Sequence, residues 1–274
     1  MADLKDWIGR EERRADRVTD AALARFRATI GSADGLAVPP GFHWCLCTPE
    51  VPMADLQEDG HQRLGAFLPP VPLPRRMWAG STIRFLAPIA ADADIERVSA
   101  VGSVVQKKGK SGALVFVEID HLTRAGGIDV VQERQTIVYR EASTATISLP
   151  ATGTANLSDW PISRSLVPNE AMLFRYSALT FNTHRIHYDL AYVQDVERYP
   201  GLVVHGPLIA TLLLDLAARQ IGADAIGDFS FRATSPSFAG QPLHLVAREE
   251  DTGLVLAALG DDGRAVMEAR TTPR

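Results

Sequence analysis

Two short stretches of this chain recur at one fixed spacing, and that repeat restricts the fold more than any other feature of the sequence. Phe26-Arg27 returns as Phe174-Arg175, and Arg84-Phe85-Leu86-Ala87-Pro88 returns in outline as Arg232-Ala233-Thr234-Ser235-Pro236. Both pairs are 148 residues apart (174 − 26 and 236 − 88). A shared offset implies two copies of one supersecondary unit, and 274 residues are enough for two domains of ordinary size.

The elements of each copy follow from local chemistry. Thr19 is placed as an N-cap before a helix over 20–30, where Leu23, Phe26 and Ile30 share one face and Gly31 ends the run. A matching short helix is expected around 172–177. Alternating and β-branched residues predict strands over 81–86, 96–106, 113–123 and 128–139, then around Phe231 and over 243–248, 254–259 and 265–271. The lysines at 107–110 read as a solvated hairpin tip. The charge-rich stretch 7–18 reads as a surface lead-in, and the Ala-, Ser- and Thr-rich stretch 142–159 as linker.

The copies differ in the middle. From Pro39 to Pro74 eight prolines exclude continuous helix, and a loop of that length in a compact domain usually lines or covers a site. The second copy instead has Pro207 at the start of a segment, 207–220, that is apolar nearly all round. Such a helix must be wrapped, and four or five antiparallel strands would do so. The expected class is therefore α+β: residues 1–145 form a degenerate unit with a proline-rich covering loop, 146–165 the linker, and 166–274 the unit that carries chemistry.

Chemistry concentrates at 181–189, Phe-Asn-Thr-His-Arg-Ile-His-Tyr-Asp, and at His205-Gly206-Pro207. His187 is the leading candidate base, because imidazole exchanges protons near neutrality. His184 and His187 are spaced as two metal ligands could be, but no His-Glu-x-x-His pattern accompanies them, and no metal is expected. Gly206 opens a helix whose first N–H groups lack internal partners, so its N–H can polarise a carbonyl oxygen; a tight turn alone would also explain the glycine. No nucleophile elbow, P-loop or dinucleotide fingerprint is present.

These motifs resemble the MaoC-like hydratases and dehydratases of the hotdog fold, whose motif runs Asp-x-Asn-Pro-x-His-x-Asp. Asn182 falls at its first Asp, His184 at its Asn, Arg185 at its Pro, His187 at its catalytic His and Asp189 at its last Asp. Together with Tyr-Pro-Gly-Leu-Val-Val-His-Gly-Pro-Leu at 199–208 and Leu-Pro-Arg-Arg-Met-Trp-Ala-Gly at 73–80, the likeness is to one branch. That branch holds hydroxyacyl-thioester dehydratase type 2 and the mesaconyl-C4-CoA and itaconyl-CoA hydratases. The resemblance implies a double hotdog, with antiparallel sheets each wrapped around a helix and the intact central helix in the second half. It implies reversible syn addition of water to an enoyl thioester, with no cofactor beyond the coenzyme A of the substrate. An amide cannot act as a base, so His187 is expected to move the proton, Asn182 to orient the water and the Gly206 N–H to hold the enolate-like oxygen. Arg185, His184, His205, Arg75 and Arg76 are expected at the substrate. For Arg185 the alternatives are a substrate carboxylate, the CoA phosphates or an ion pair with Asp189.

A net charge of −5 argues against nucleic acid as a partner. The N-terminus has no apolar leader, and the longest apolar run, 208–218, is interrupted by Asp215, so neither secretion nor a membrane is expected. Cys45 and Cys47 suit neither a disulfide framework nor a zinc pair and read as small packed side chains in a reducing, cytoplasmic setting. The resemblance implies an acyl-CoA as the partner, and hotdog units pair through their sheets, which two copies could do within the chain; a homodimer is left open.

Overall fold

The computed structural model describes residues 3–32, 38–109, 112–142, 146–151, 153 and 155–274. The first half contains β1 (Glu11–Arg17), α1 (Asp20–Ile30), β2 (Arg75–Phe85), β3 (Asp94–Gly109), β4 (Gly112–Ala125) and β5 (Ile128–Arg140). The second contains β6 (Ile162–Leu166), α2 (Glu170–Leu179), α3 (Leu190–Asp195), α4 (Gly206–Ile221), β7 (Ile226–Ala233), β8 (Leu243–Glu250), β9 (Gly253–Gly260) and β10 (Ala265–Pro273). Both short helices start on the caps that side-chain chemistry supplies: Thr19 accepts from the Ala22 N–H at 3.2 Å and Asn169 from the Met172 N–H at 2.9 Å.

All ten strands join one antiparallel sheet in the order β1-β3-β4-β5-β2-β7-β10-β9-β8-β6. Read outward from the centre, the two halves have the same order. At the centre β2 pairs with β7, and Thr82 lies opposite Ser230. Since 230 − 82 is 148, Thr82 faces its own repeat partner, which places a pseudo-twofold axis there. The sheet pairing that one unit would otherwise seek in another chain is thus made internally.

Two strands lie where none was expected. The charged stretch 11–17 is β1, an edge strand paired with β3, not a surface lead-in. Its side chains give no apolar alternation because a sheet edge favours charge over burial. β6 begins inside the stretch 146–165 expected as linker and pairs with β8. Parts of the hairpin tip (110–111) and of the linker (143–145, 152 and 154) fall outside the described residues.

Among the described residues only the second half wraps a long helix. Eleven residues of α4 are buried, and it packs against β7, β8, β9 and β10. Leu208, Leu212, Leu213 and Leu214 have no exposed surface. Each such side chain contributes about 1.5–3 kcal/mol, so burial rather than helix propensity holds α4. Asp215, also buried, is held by Arg164 and Arg219, each at 2.8 Å. In the first half, residues 38–74 form short 3₁₀ turns at Phe42–Cys45 and Met53–Asp55 and an isolated antiparallel bridge between Leu56 and Gln62. This segment packs on α4: a Cβ at Gly41 would lie 3.2 Å from Thr211. Cys45 and Cys47 are free thiols, and burial pushes Cys45 up to about 12, so it is an inert packed side chain.

Candidate active site

The C-terminus of α2 sets the first catalytic candidate. Phe181 takes the left-handed conformation (φ 48°) and the Asn182 N–H returns to the Ser177 carbonyl at 2.9 Å, a helix-terminating turn. Asn182 Oδ1 then accepts from the His184 N–H at 3.0 Å, so the amide oxygen shapes the loop while the side chain lines the cavity. A single 3₁₀ turn, Arg185–His187, follows and turns His187 inward. Asp189 closes the motif by capping α3, accepting from the Tyr192 N–H at 3.0 Å.

His187 is buried, and its Nδ1–H donates to the Val203 carbonyl at 2.7 Å. That bond fixes the tautomer and leaves Nε2 with a free lone pair. Burial drives the imidazole down to about 4, against the Val203 bond, so near pH 7 it is neutral and can accept a proton, though as a weaker base than a free imidazole. Its ring stacks on His205 at 3.5 Å and meets His184 edge-on at 5.5 Å.

The fourth imidazole comes from the other half. His61, in the proline-rich segment, lies 3.9 Å from the His184 ring and its Nδ1 bonds the Asp59 carboxylate at 2.8 Å. Burial first, and the Arg76 cation next, push His61 down to about 4 in spite of Asp59. The loop is docked on the motif by backbone: Thr183 Oγ1 donates to the Gly60 carbonyl at 2.5 Å and the Arg185 N–H to the Asp59 carbonyl at 2.9 Å. Gly60 is required there, with φ 87° and any Cβ 1.8 Å from the Thr183 oxygen. Asp59, His61 and His184 bring three ligand atoms within 4.8 Å of one another. Asp59 is bonded to His61, and burial first, with Arg76 adding to it, lowers both imidazoles.

These groups border a cavity of about 610 Å³ lined by both halves, including Asn182, His184, His187, Gly206, His61, Arg75 and Arg76. Among the described residues no side chain caps α4 and the Gly206 N–H has no hydrogen-bond partner; Pro207 has no N–H, and Gly206 lines the cavity. The protein does not need glycine there for its own packing, since a Cβ at 206 would meet only the Trp78 oxygen at 3.7 Å. On the first-half wall Glu133 is buried and opposed by desolvation. Contacts with His43, His121 and Ser81 outweigh that cost and hold it at about 2. It accepts from Ser81 Oγ at 2.6 Å and from the Trp44 indole at 3.1 Å, which ties the covering segment to the sheet.

Two residues expected at the substrate do not line the cavity. Arg185 does not line the cavity; it pairs with Asp189 at 2.7 Å and lies 4.1 Å over the Tyr192 ring, because the carboxylate capping α3 is its nearest anion. His205 is behind the wall, bonded through Nε2 to Ser177 Oγ at 2.8 Å, and it supports His187 by stacking. Arg75 lines the cavity but is paired with Glu197 at 3.1 Å, and Arg232 pairs with Glu268 on the surface. His61 and Asp59 were missed; the one local signal is Asp59-Gly60-His61, a turn with titratable flanks inside the covering loop.

Residues 41–239 match the family described as hydroxyacyl-thioester dehydratase type 2. The chain belongs to that family. It is 40% identical to mesaconyl-C(4)-CoA hydratase of Chloroflexus aurantiacus, with 98% of this chain and 97% of the relative covered. Among solved structures, HtdX of Mycobacterium tuberculosis superposes with a TM-score of 0.71 at 18% identity, over 97% of this chain and 100% of that one. Another M. tuberculosis protein, described as a double hotdog, gives a TM-score of 0.56 at 14% identity over 97% and 96% of the two chains. The fold is thus a double hotdog of α+β class, and this family member is a MaoC-like hydro-lyase acting as an enoyl-CoA hydratase or dehydratase. Among the described residues no helix is long and apolar enough to cross a membrane.

Proposed function

We propose that the protein catalyses reversible hydration of an enoyl-CoA of the mesaconyl-C4 or itaconyl type, with His187 as the base. The observation that carries this reading is the Nδ1–H bond to Val203, which leaves a neutral imidazole with Nε2 free on the cavity wall. In hydration, Nε2 takes a proton from water as the oxygen bonds C3, and the imidazolium returns it to C2. The charge that develops on the thioester oxygen is held by the Gly206 N–H at the start of α4, where the helix dipole adds to the single hydrogen bond. Asn182 presents its NH2 to the water oxygen, since its Oδ1 is engaged by the His184 N–H. His61, oriented by Asp59, is a second neutral imidazole acceptor on the same wall. No step calls for a metal or a redox cofactor.

Absorbance of the enoyl band of mesaconyl-C4-CoA and crotonyl-CoA, read with a thiol reagent, tests the reaction. Loss of the band without thiol is hydration; loss with thiol is hydrolysis; an unchanged band leaves only binding. His187→Ala should lower kcat about 10²–10⁴-fold, the usual share of a positioned acid–base group. Turnover near wild type in that variant removes His187 from the mechanism. The second reading, a (3R)-hydroxyacyl-thioester dehydratase of lipid synthesis, uses the same groups and differs in substrate.

A further inference from the structure

We infer that Arg76 forms a carboxylate-binding subsite beside the histidine wall, so that the acyl group this cavity selects is a dicarboxylic monothioester. The inference rests on the thioester reading above and names its substrate class.

Five arginines line the cavity: Arg14, Arg75, Arg76, Arg97 and Arg140. Arg14 is paired with Glu12 at 3.1 Å, Arg75 with Glu197 at 3.1 Å, and Arg140 donates to the Tyr199 hydroxyl at 2.8 Å. Arg76 is half-buried and has no carboxylate within ion-pair distance among the described residues. Its position on β2 is directly opposite Tyr139 of β5, a fully buried residue, so its stem rests on the sheet while its head borders the cavity. Asp59, the carboxylate that feels the Arg76 charge, is bonded to His61 at 2.8 Å and makes no direct ion pair with Arg76, so a bidentate carboxylate is the ligand that best complements a guanidinium partly withdrawn from water.

Place distinguishes Arg76 from Arg97, which also makes no ion pair among the described residues. The charge of Arg76 is felt at His61, His184 and Asp59, that is, at the wall that continues to His187. The charge of Arg97 is felt at Cys45, Cys47 and His121, on the first-half side. In a butenedioyl monothioester the free carboxylate is one bond from the carbon that receives the hydroxyl, so its reader must stand at the reacting end. Arg185, the cation that the motif itself offers, faces away on Asp189. Arg76 is the cation that meets these conditions.

The same guanidinium could instead meet a CoA phosphate, and binding separates the two sources without requiring turnover. Succinyl-CoA and butyryl-CoA share the CoA moiety and differ in the terminal carboxylate. Calorimetric titration of the wild type should show succinyl-CoA bound about 10–100-fold more tightly, the range of charge-assisted hydrogen bonds. Arg76→Met should abolish that preference while leaving butyryl-CoA within about threefold, and Arg76→Lys should keep part of it. Equal weakening for both thioesters assigns Arg76 to a phosphate and overturns the subsite. An unchanged preference in Arg76→Met also overturns it. If the wild type prefers succinyl-CoA yet hydrates neither mesaconyl-C4-CoA nor crotonyl-CoA, the catalytic reading fails and the subsite stands.

Discussion

Lowering the pH from 7 to 5 should remove a large part of the folding free energy, through the stacked imidazoles at the cavity wall. In the unfolded chain histidines titrate near 6.5, whereas His61 and His187 titrate at about 4 in the fold. Between those values the unfolded chain binds more protons, so stability falls as the pH drops below about 6.5. At pH 5 each of the two imidazoles costs the folded state about 2 kcal/mol, or about 4 kcal/mol together. His184, His205 and His121, all lowered mainly by burial, add to this. The carboxylates act in a different window. Asp59, Asp189 and Glu133 are held below their usual range, so their contribution is lost only as the pH falls below the ordinary carboxylate range. Against a typical stability of about 5–15 kcal/mol, the histidine term is decisive. Urea titrations followed by tryptophan fluorescence at pH 7, 6 and 5 should show a steadily falling midpoint. His187→Gln should flatten that dependence by about one proton. A midpoint constant between pH 7 and 5 would refute the claim that these imidazoles are buried and neutral.

Gly206→Ala should fold as well as the wild type or slightly better, because the new Cβ makes only an ordinary contact with the Trp78 oxygen and alanine favours helix. Its kcat should nevertheless drop tenfold or more, on the order seen when an oxyanion donor is disturbed, and unchanged kinetics would exclude close approach of the thioester to this backbone. Asp215→Ala leaves Arg164 and Arg219 without their shared partner. Because both arginines are about a third exposed, the loss should lie at or below the low end of about 3–5 kcal/mol, read as a fall in Tm. An unaltered Tm would show that these ion pairs contribute nothing net.

What was legible in the sequence was local or periodic. The helix cap at Thr19, the short helix around 172–177, the apolar α4 and most strands follow from interactions within a few residues, and the structure reproduces them. The 148-residue offset carried more, since two like units with one strand order can join through equivalent strands, and Thr82 opposite Ser230 is that junction. The motif loop was legible too, because its Asx turn, helix-ending turn and capping Asp189 all close within five residues.

Tertiary structure decided the rest, for reasons of range and competition. β1 carries no apolar pattern, so only its partner β3 reveals it as a strand. Arg185 and His205 belong to the expected motif, yet neither lines the cavity: Arg185 takes the Asp189 ion pair that was one of its three alternatives, and His205 bonds a serine and stacks on a ring. His61 lies 123 residues from His184 (184 − 61) and reaches it only because Gly60 can press its backbone against Thr183. Sequence determines which side chains can do chemistry and which segments form elements. Which of those side chains face one cavity depends on long-range packing between the two halves, and on how charges pair once that packing has chosen their neighbours.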